Sequence, residues 1–245
     1  MQFDVILVGA GIGGLTAALA LQQQGLRVAL CEQANEPFVG GAGLVIGASG
    51  ARVLGQLGLG AALDDLAVRP AHIAIRHFQT GRLLAETPTS AGDGCRIGRA
   101  DLQRALIAAI HSNDRDCLRT GHTLADIGQD GSGLSALFGD RQMLRGSLLV
   151  ACDGQRSAVR TRLFGDEQPR FTGYQVWQGL VPMSHLTAAA PTLGDATVWI
   201  GPGQQLGCGS ICRGTQLAWR AIARSNRWTD EAWSRPSGVD SVLAA

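Results

Sequence analysis

The stretch FDVILVGAGIGGLTAALALQQQ, residues 3–24, constrains the fold of this chain more than any other. A short apolar run rich in β-formers (3–8) meets Gly9-x-Gly11-x-x-Gly14 and then an Ala- and Leu-rich helical segment. Gly25 is a natural stop for that helix, and RVALCE (27–32) reads as a second short strand. The order strand, glycine loop, helix, strand defines a βαβ start of the doubly wound kind.

Each glycine has a physical task in such a unit. The first makes the tight turn, the second lets a pyrophosphate approach the backbone, and the third permits close packing of helix on strand. Gly13 completes the loop run. The helix N-terminus then offers amide donors and the positive end of its dipole to phosphates. Glu32 ends the second strand at the right remove to accept hydrogen bonds from ribose hydroxyls. An acid there favours an unphosphorylated adenosine ribose, hence FAD or NAD rather than NADP. The plain alternative is a glycine-rich turn with Glu32 as a surface acid.

Farther along, residues 49–57 read as a helix with Ser49 at its start. Residues 72–78 and 82–86 flank Gln79-Thr80-Gly81 as a hairpin, with Ile73 and Ile75 alternating against polar neighbours. Leu102, Ala105, Leu106, Ala109 and Ile110 fall on one face of a helix over 101–111. Residues 134–138 and 141–152 form a second hairpin, leading into LLVACDGQRSAVR (148–160), where an apolar strand breaks at Asp153-Gly154. From 174 onward YQVWQGLV, ATVWIG, LGCGSIC and TQLAWRAIA are strand-like and separated by Gly and Pro, which predicts an antiparallel sheet. An NAD dehydrogenase would continue its α/β alternation instead. A flavin domain with an inserted substrate sheet fits this order better.

Composition narrows the class. Of 245 residues 45% are hydrophobic and 17% charged, enough apolar content for a packed core. A net charge of +1 gives no electrostatic case for nucleic acid or an anionic membrane. All 21 basic residues are Arg, so no lysine Schiff base or lysine phosphate clamp is available. The six cysteines form no CxxC pair and read as free thiols of a reducing, cytoplasmic compartment. Cys208 and Cys212 would share a face if both lay on one strand, but no His or carboxylate nearby completes a metal site. The N-terminus lacks a basic n-region and reads as a strand, not a signal peptide. No run reaches the ~18 apolar residues a membrane span needs.

GAGIGG with Glu32, GAGLVIGASGARVLGQLGL (41–59), CRIGRADLQRAL (95–106) and LLVACDGQRSAVR, in this order, resemble the class A FAD-dependent aromatic monooxygenases of the para-hydroxybenzoate and salicylate hydroxylase type. GYQVWQGLVP (173–182) and VWIGPGQQL (198–206) resemble that family's substrate strands. The resemblance implies an α/β fold, a Rossmann-like FAD-binding domain of the glutathione-reductase-2 type with an interleaved antiparallel substrate sheet. The expected limits are 1–70 and 96–165 for FAD, and 71–95 and 166–245 for substrate. It implies that Gly9, Gly11, Gly14 and Glu32 hold the ADP half of FAD. Arg99 would contact the flavin side, and Asp153-Gly154 the pyrophosphate. It further implies NADH or NADPH as co-substrate and hydroxylation of a small phenolic substrate by O2 through a C4a-hydroperoxyflavin. A homodimer is compatible with it.

Some features depart from the pattern. The family's third flavin motif, a Gly-Asp after the substrate sheet, is not among the pairs at 139–140, 165–166 and 194–195. The sequence ends where that motif and the flavin-capping helices would begin, so a nucleotide-binding fragment or one half of a split flavoenzyme is the alternative expectation. Gln178 stands where many salicylate-hydroxylase-like members carry Arg. His72, His77 and His185 have no evident partner, Arg156 and Arg160 read as surface charge as readily as phosphate contacts, and no catalytic base is assigned. Epoxidase and halogenase branches fit poorly, since there is no long apolar tail and no lysine.

Overall fold

A computed structural model describes residues 2–37, 41–90, 94–131, 133–139, 141–186, 196–226 and positions 236, 238, 240 and 242. In chain order the elements are β1 (Gln2–Val8), α1 (Ile12–Gln23), β2 (Val28–Cys31), β3 (Gly43–Gly47), α2 (Ala48–Leu54), α3 (Gly60–Leu66), β4 (His72–His77), β5 (Leu83–Pro88), β6 (Gly94–Gly98) and α4 (Arg99–Asn113). They continue with β7 (Leu118–Arg119), β8 (Leu124–Asp130), β9 (Gly133–Phe138), β10 (Met143–Ala151), α5 (Ala158–Phe164), β11 (Tyr174–Pro182), β12 (Ala196–Gly201), β13 (Gln204–Ile211) and β14 (Gln216–Arg224). The chain divides into two compact units: Met1–Val39, Gln56–Leu59 and Leu102–Pro169, and Gly40–Gly55, Gly60–Asp101 and Arg170–Ala245.

The first unit is built on a six-stranded sheet of order β7-β2-β1-β10-β9-β8. β1 pairs in parallel with β2 and β10, and β9 and β8 add an antiparallel edge. Every residue of β2 is buried, as expected of a parallel strand covered on both faces. Phe3, Ile6, Ala29, Cys31, Ala136, Phe138 and Leu144 form one cluster. Full burial of each large member contributes roughly 1.5–3 kcal/mol. α1 packs through Gly14, Leu15, Ala18 and Leu19 and ends as its sequence predicts. Gly25 sits at φ +76, and Gly25 and Leu26 return their amides to Gln22 and Leu21, so the last carbonyls are satisfied in a Schellman turn.

The second unit is built on a six-stranded sheet of order β11-β14-β13-β12-β4-β5. The hairpin β4–β5 therefore joins strands more than a hundred residues later, through a parallel pairing of β4 with β12. This is the interleaving the sequence order suggests. A two-stranded ribbon of β3 and β6 packs on the sheet, where a Cβ on Gly43 would lie 2.9 Å from Ile211.

Three local expectations are corrected. Gly47, not Ser49, caps the helix of 48–54, because its extended backbone (φ −68, ψ 169) turns the chain in; Ser49 lies inside the first turn. That helix continues through a π-turn over Gly55–Leu59 and bends where Gly58 takes φ +86. In the first hairpin Ala74 is the buried residue and Ile73 is exposed, because the apolar face of β4 is set by its parallel neighbour β12 rather than by the hairpin alone. Cys208 lies in β13 but Cys212 lies beyond it at φ +52, in a left-handed turn, so the two do not share a strand face. Of the Gly-Asp pairs, Gly165 ends α5; Asp140 and the pair at 194–195 lie outside the described residues.

Candidate functional site

Parallel pairing places the ends of β1 and β10 side by side, Val8 opposite Ala151, with the Cys152 amide donating to the Val8 carbonyl at 2.7 Å. Two motifs far apart in sequence, the loop at Gly9 and the turn at Asp153, thereby meet at the carboxyl ends of neighbouring strands. In open α/β sheets ligands bind at such strand ends.

The glycines divide by what surrounds them. Gly9 has φ +102, and a Cβ there would lie 2.5 Å from the Cys152 carbonyl oxygen and 2.8 Å from Asp153 Cα. A Cβ on Gly14 would overlap the Gly9 carbonyl oxygen. Both positions are glycine because the protein's own backbone leaves no room. Gly11 and Gly13 are different: a Cβ at either would meet no protein atom within 4 Å. Gly11 caps α1 with extended backbone (φ −67, ψ 177), no side chain satisfies the first amides, and no acid occupies the first turn. A cradle of free amides, kept clear by residues that lack side chains, suits the pyrophosphate of a dinucleotide.

Glu32 is held at this loop. Its Oε2 accepts the Ala10 amide at 2.8 Å and its Oε1 accepts the Ala34 amide at 3.0 Å. One carboxylate thus ties the glycine loop to the end of β2, and its remaining lone pairs can accept from ribose hydroxyls. Asp153 has an internal task. Its Oδ1 accepts the Ser157 hydroxyl at 2.6 Å and its Oδ2 accepts the Val159 amide at 3.1 Å, while Ser157 Oγ caps α5 through the Arg160 amide. The aspartate therefore fixes the turn containing Gly154, which sits at φ +79 with open space around it. Burial, reinforced by the Asp153 charge, raises the Cys152 thiol above its ordinary value, so this cysteine is not a thiolate nucleophile. Arg160 Nη2 donates to the Gln155 carbonyl at 2.5 Å and stabilises its own turn.

Arg99 belongs to the second unit, at the start of α4. Its amide donates to the Ala42 carbonyl at 3.2 Å, and a Cβ on Gly41 would lie 2.9 Å from its Cδ. The arginine therefore crosses the chain just before β3, and Gly41 at φ +101 leaves room for it.

Sequence reasoning did not single out Arg96 and Arg220. Arg96 lies in β6 between the buried residues Cys95 and Ile97, which is the signal that marks it: a cation inside a buried apolar run. Its Nη1 donates to the Cys208 carbonyl at 3.2 Å, and its Nε is buried with no hydrogen-bond partner. The turn after β13 is also tied down, with three successive left-handed residues (Cys212 φ 52, Arg213 φ 56, Gly214 φ 79). Cys212 Sγ donates to Asp101 at 3.3 Å, and Arg213 pairs with Asp65 at 2.5 Å. The described residues hold no cluster of His, Cys, Asp or Glu suited to a metal ion, and no helix among them is long and apolar enough to cross a membrane.

Fold and loop together define a dinucleotide-binding protein with an appended antiparallel sheet. The model of the FAD binding domain family matches residues 2–234, and the chain belongs to this family, that of the class A flavoprotein aromatic monooxygenases. It is 32% identical to a 3-amino-4-hydroxybenzoate 2-monooxygenase of Streptomyces platensis, over 98% of this chain and 61% of that protein. It is likewise 32% identical to an FAD-dependent urate hydroxylase of Klebsiella pneumoniae, over 82% of this chain and 53% of that protein. The fold resembles Klebsiella pneumoniae HpxO solved with FAD and uric acid, with TM-score 0.80, 26% identity, and coverage of 94% of this chain and 58% of that one. The chain thus spans between 53% and 61% of these relatives' length.

Proposed function

We propose that this chain provides the FAD-binding and substrate-binding parts of a monooxygenase that hydroxylates a small aromatic substrate, using NADH or NADPH and O2. The observation that carries the reading is the open cradle at Gly11 and Gly13, bordered by Glu32 and the Asp153–Gly154 turn. The α1 amides would hold a dinucleotide's pyrophosphate, and the Glu32 carboxylate would accept hydrogen bonds from its adenosine ribose hydroxyls. Asp153 acts by holding the Gly154 turn in place, so that its backbone faces the phosphates. Arg99 contributes from the flavin side. FAD held there would supply the redox chemistry between a nicotinamide and O2.

The relatives act, by their names, on 3-amino-4-hydroxybenzoate and urate, both small polar aromatic rings. Residues 1–70 and 96–165 are assigned to FAD, and 71–95 and 166–245 to substrate. The sheet's tasks are to orient the ring and exclude water while the substrate's reacting group is deprotonated.

Titration of the purified chain with FAD, followed by quenching of flavin fluorescence, tests the cofactor half. Saturable uptake is expected, and a colourless protein that takes up no FAD would overturn it. Substrate-stimulated NADH or NADPH oxidation, with a hydroxylated product by mass spectrometry, tests the catalytic half. Flavin uptake without turnover supports a second reading, motivated by the 61% span: a cofactor-holding portion that works only with additional chain.

A further inference from the structure

The outermost strands of the second unit's sheet are β5 and β11, and their free edges differ. An edge strand exposes N–H and C=O groups that pair with any strand brought alongside, and charges, prolines and bulges normally blunt it. β5 carries all three devices. Glu86 and Pro88 lie in it, Arg82 immediately precedes it, and its register with β4 slips at a bulge between Ile75 and Arg76. β11 is nine residues long, YQVWQGLVP, with no charge and with proline only at its last position. Its pairing with β14 runs without a bulge from Tyr174 opposite Arg224 to Pro182 opposite Gln216.

The phase of that pairing fixes which groups face outward. The Ser225 amide donates to the Gly173 carbonyl at 2.9 Å, and the Met183 amide donates to the Thr215 carbonyl at 2.9 Å. In an antiparallel ladder alternate residues bond to the same neighbour, so the odd-numbered residues between them bond to β14. The backbone N–H and C=O groups of Tyr174, Val176, Gln178 and Leu180 therefore point away from the sheet. Their side chains are open as well: Tyr174, Val176 and Leu180 are 42%, 55% and 45% exposed, and Gln178 is exposed. Among the described residues no strand lies along this edge.

We propose that β11 is the edge through which two copies of this chain pair, antiparallel about a two-fold axis at Gln178. The strand is complementary to itself in that register. Val176 of each copy stands opposite Leu180 of the other, and these outward-facing positions form hydrogen-bonded pairs. The two Gln178 amides meet at the axis, where each can both donate and accept. On the other face Trp177 stands opposite Gly179, which has no side chain to resist it. The Trp219 indole already lies over Gly179, so indoles of both copies gather there. An axis at Trp177 or Gly179 would set Gln178 against Val176 or Leu180 instead, a poorer match. With no charge in the strand, no like-charge repulsion opposes the pairing. Each copy uses its β11 once, so assembly closes at the dimer, and the two six-stranded sheets become continuous. The pairing is independent of the flavin reading, because mass is measured whether or not FAD is bound.

Sedimentation equilibrium of the full chain over a range of concentrations tests the proposal. The expected mass is twice the 25.6 kDa of one chain. Val176→Lys places a charge on the edge, and Gln178→Pro removes an outward N–H without touching a bond to β14. Each is expected to weaken dimerisation by about tenfold or more while leaving the circular dichroism unchanged. Val176 is exposed, so its variant carries the test if the proline variant fails to fold. Leu84→Lys, at an exposed position on the opposite edge, leaves the dimer intact. Register is read by cross-linking under a mild oxidant. Opposed residues of a hydrogen-bonded pair lie about 5.5 Å apart, so Gln178→Cys forms a disulfide between copies. Val176→Cys does not, because its twin lies four residues along the strand, about 13 Å away. A wild type that stays monomeric at its highest soluble concentration, or assembles beyond a dimer, would overturn the proposal. So would a dimer that survives Val176→Lys. Cross-linking at 176 but not at 178 would overturn the axis at Gln178.

Discussion

The glycine loop of the first unit and the glycine-rich sheet of the second use the same residue against different obstacles. At Gly9 and Gly14 the obstacle is backbone: the Cys152 carbonyl, Asp153 Cα and the Gly9 carbonyl. In the sheet it is the end of a side chain. Gly179 lies under the Trp219 indole, Gly201 under the Phe78 ring, and Gly209 under the Arg96 guanidinium. Backbone locked in a parallel sheet cannot yield, whereas a side chain can rotate away. The cofactor loop is therefore a rigid device fixed by main-chain geometry. The sheet face is an adjustable one, set by which side chains its register brings together.

The largest effect expected from this contrast is at Gly14. Gly14→Ala forces a methyl group into the Gly9 carbonyl, and at least about 3 kcal/mol is lost, the upper range for overpacking. For a chain of 245 residues that lowers Tm by roughly 6–12 °C. Gly11→Ala, three residues earlier, meets no protein atom and leaves Tm within about 2 °C, yet cuts FAD affinity by about tenfold or more. Thermal melts and FAD titration of the pair separate packing from ligand clearance. Equal destabilisation by both would break the distinction between them.

Next in size is Gly179→Ala, where Trp219 Nε1 lies 2.7 Å from the added carbon. The indole must shift, at a cost of about 1–2 kcal/mol in denaturant melts. Gly209→Ala is milder still for stability, below about 1 kcal/mol, because the Arg96 guanidinium swings aside. Finding that Gly209→Ala destabilises as much as Gly14→Ala would show the sheet to be as unyielding as the loop.

The same contrast explains what could be read from sequence. Gly9, Gly11, Gly14 and Glu32 are spaced by local geometry within one βαβ unit, so their pattern survives in a linear string. Asp153 was recognisable as a strand-end residue, but its engagement with Ser157 and Val159 depends on how α5 begins. The interleaving of 72–88 with strands after 196 followed from the order of hairpin and sheet, while the burial of Ala74 in place of Ile73 required the parallel register with β12. Arg96 and Arg220 are 124 positions apart (220 − 96) and come near only because β6 packs on β13 and β13 pairs with β14. No spacing rule connects them. The single clue was an arginine between buried Cys95 and Ile97.

The smallest expected effect sets one buried thiol from each unit side by side. Burial, with Asp114 adding to it, raises Cys117 in the first unit from 9.0 to about 11. Burial also raises Cys208 in the sheet, but there the Arg96 charge opposes the shift. A thiol whose folded pKa exceeds its unfolded one stabilises the fold below the unfolded value. That contribution disappears as pH rises through the folded value, because the unfolded chain ionises first. Between pH 9 and about 11 the wild type should therefore lose stability with a slope to which Cys117 contributes. Cys117→Ala flattens that slope, and Cys208→Ala flattens it less, even though each alanine lowers the stability measured at pH 7. Urea melts at pH 7, 9 and 10.5 read the difference, and an unchanged slope in Cys117→Ala would remove this thiol from the alkaline loss. A larger flattening in Cys208→Ala would mean that Arg96 does not act on the Cys208 thiol. The guanidinium would then be turned away from Gly209, where an added Cβ would meet it in the structure.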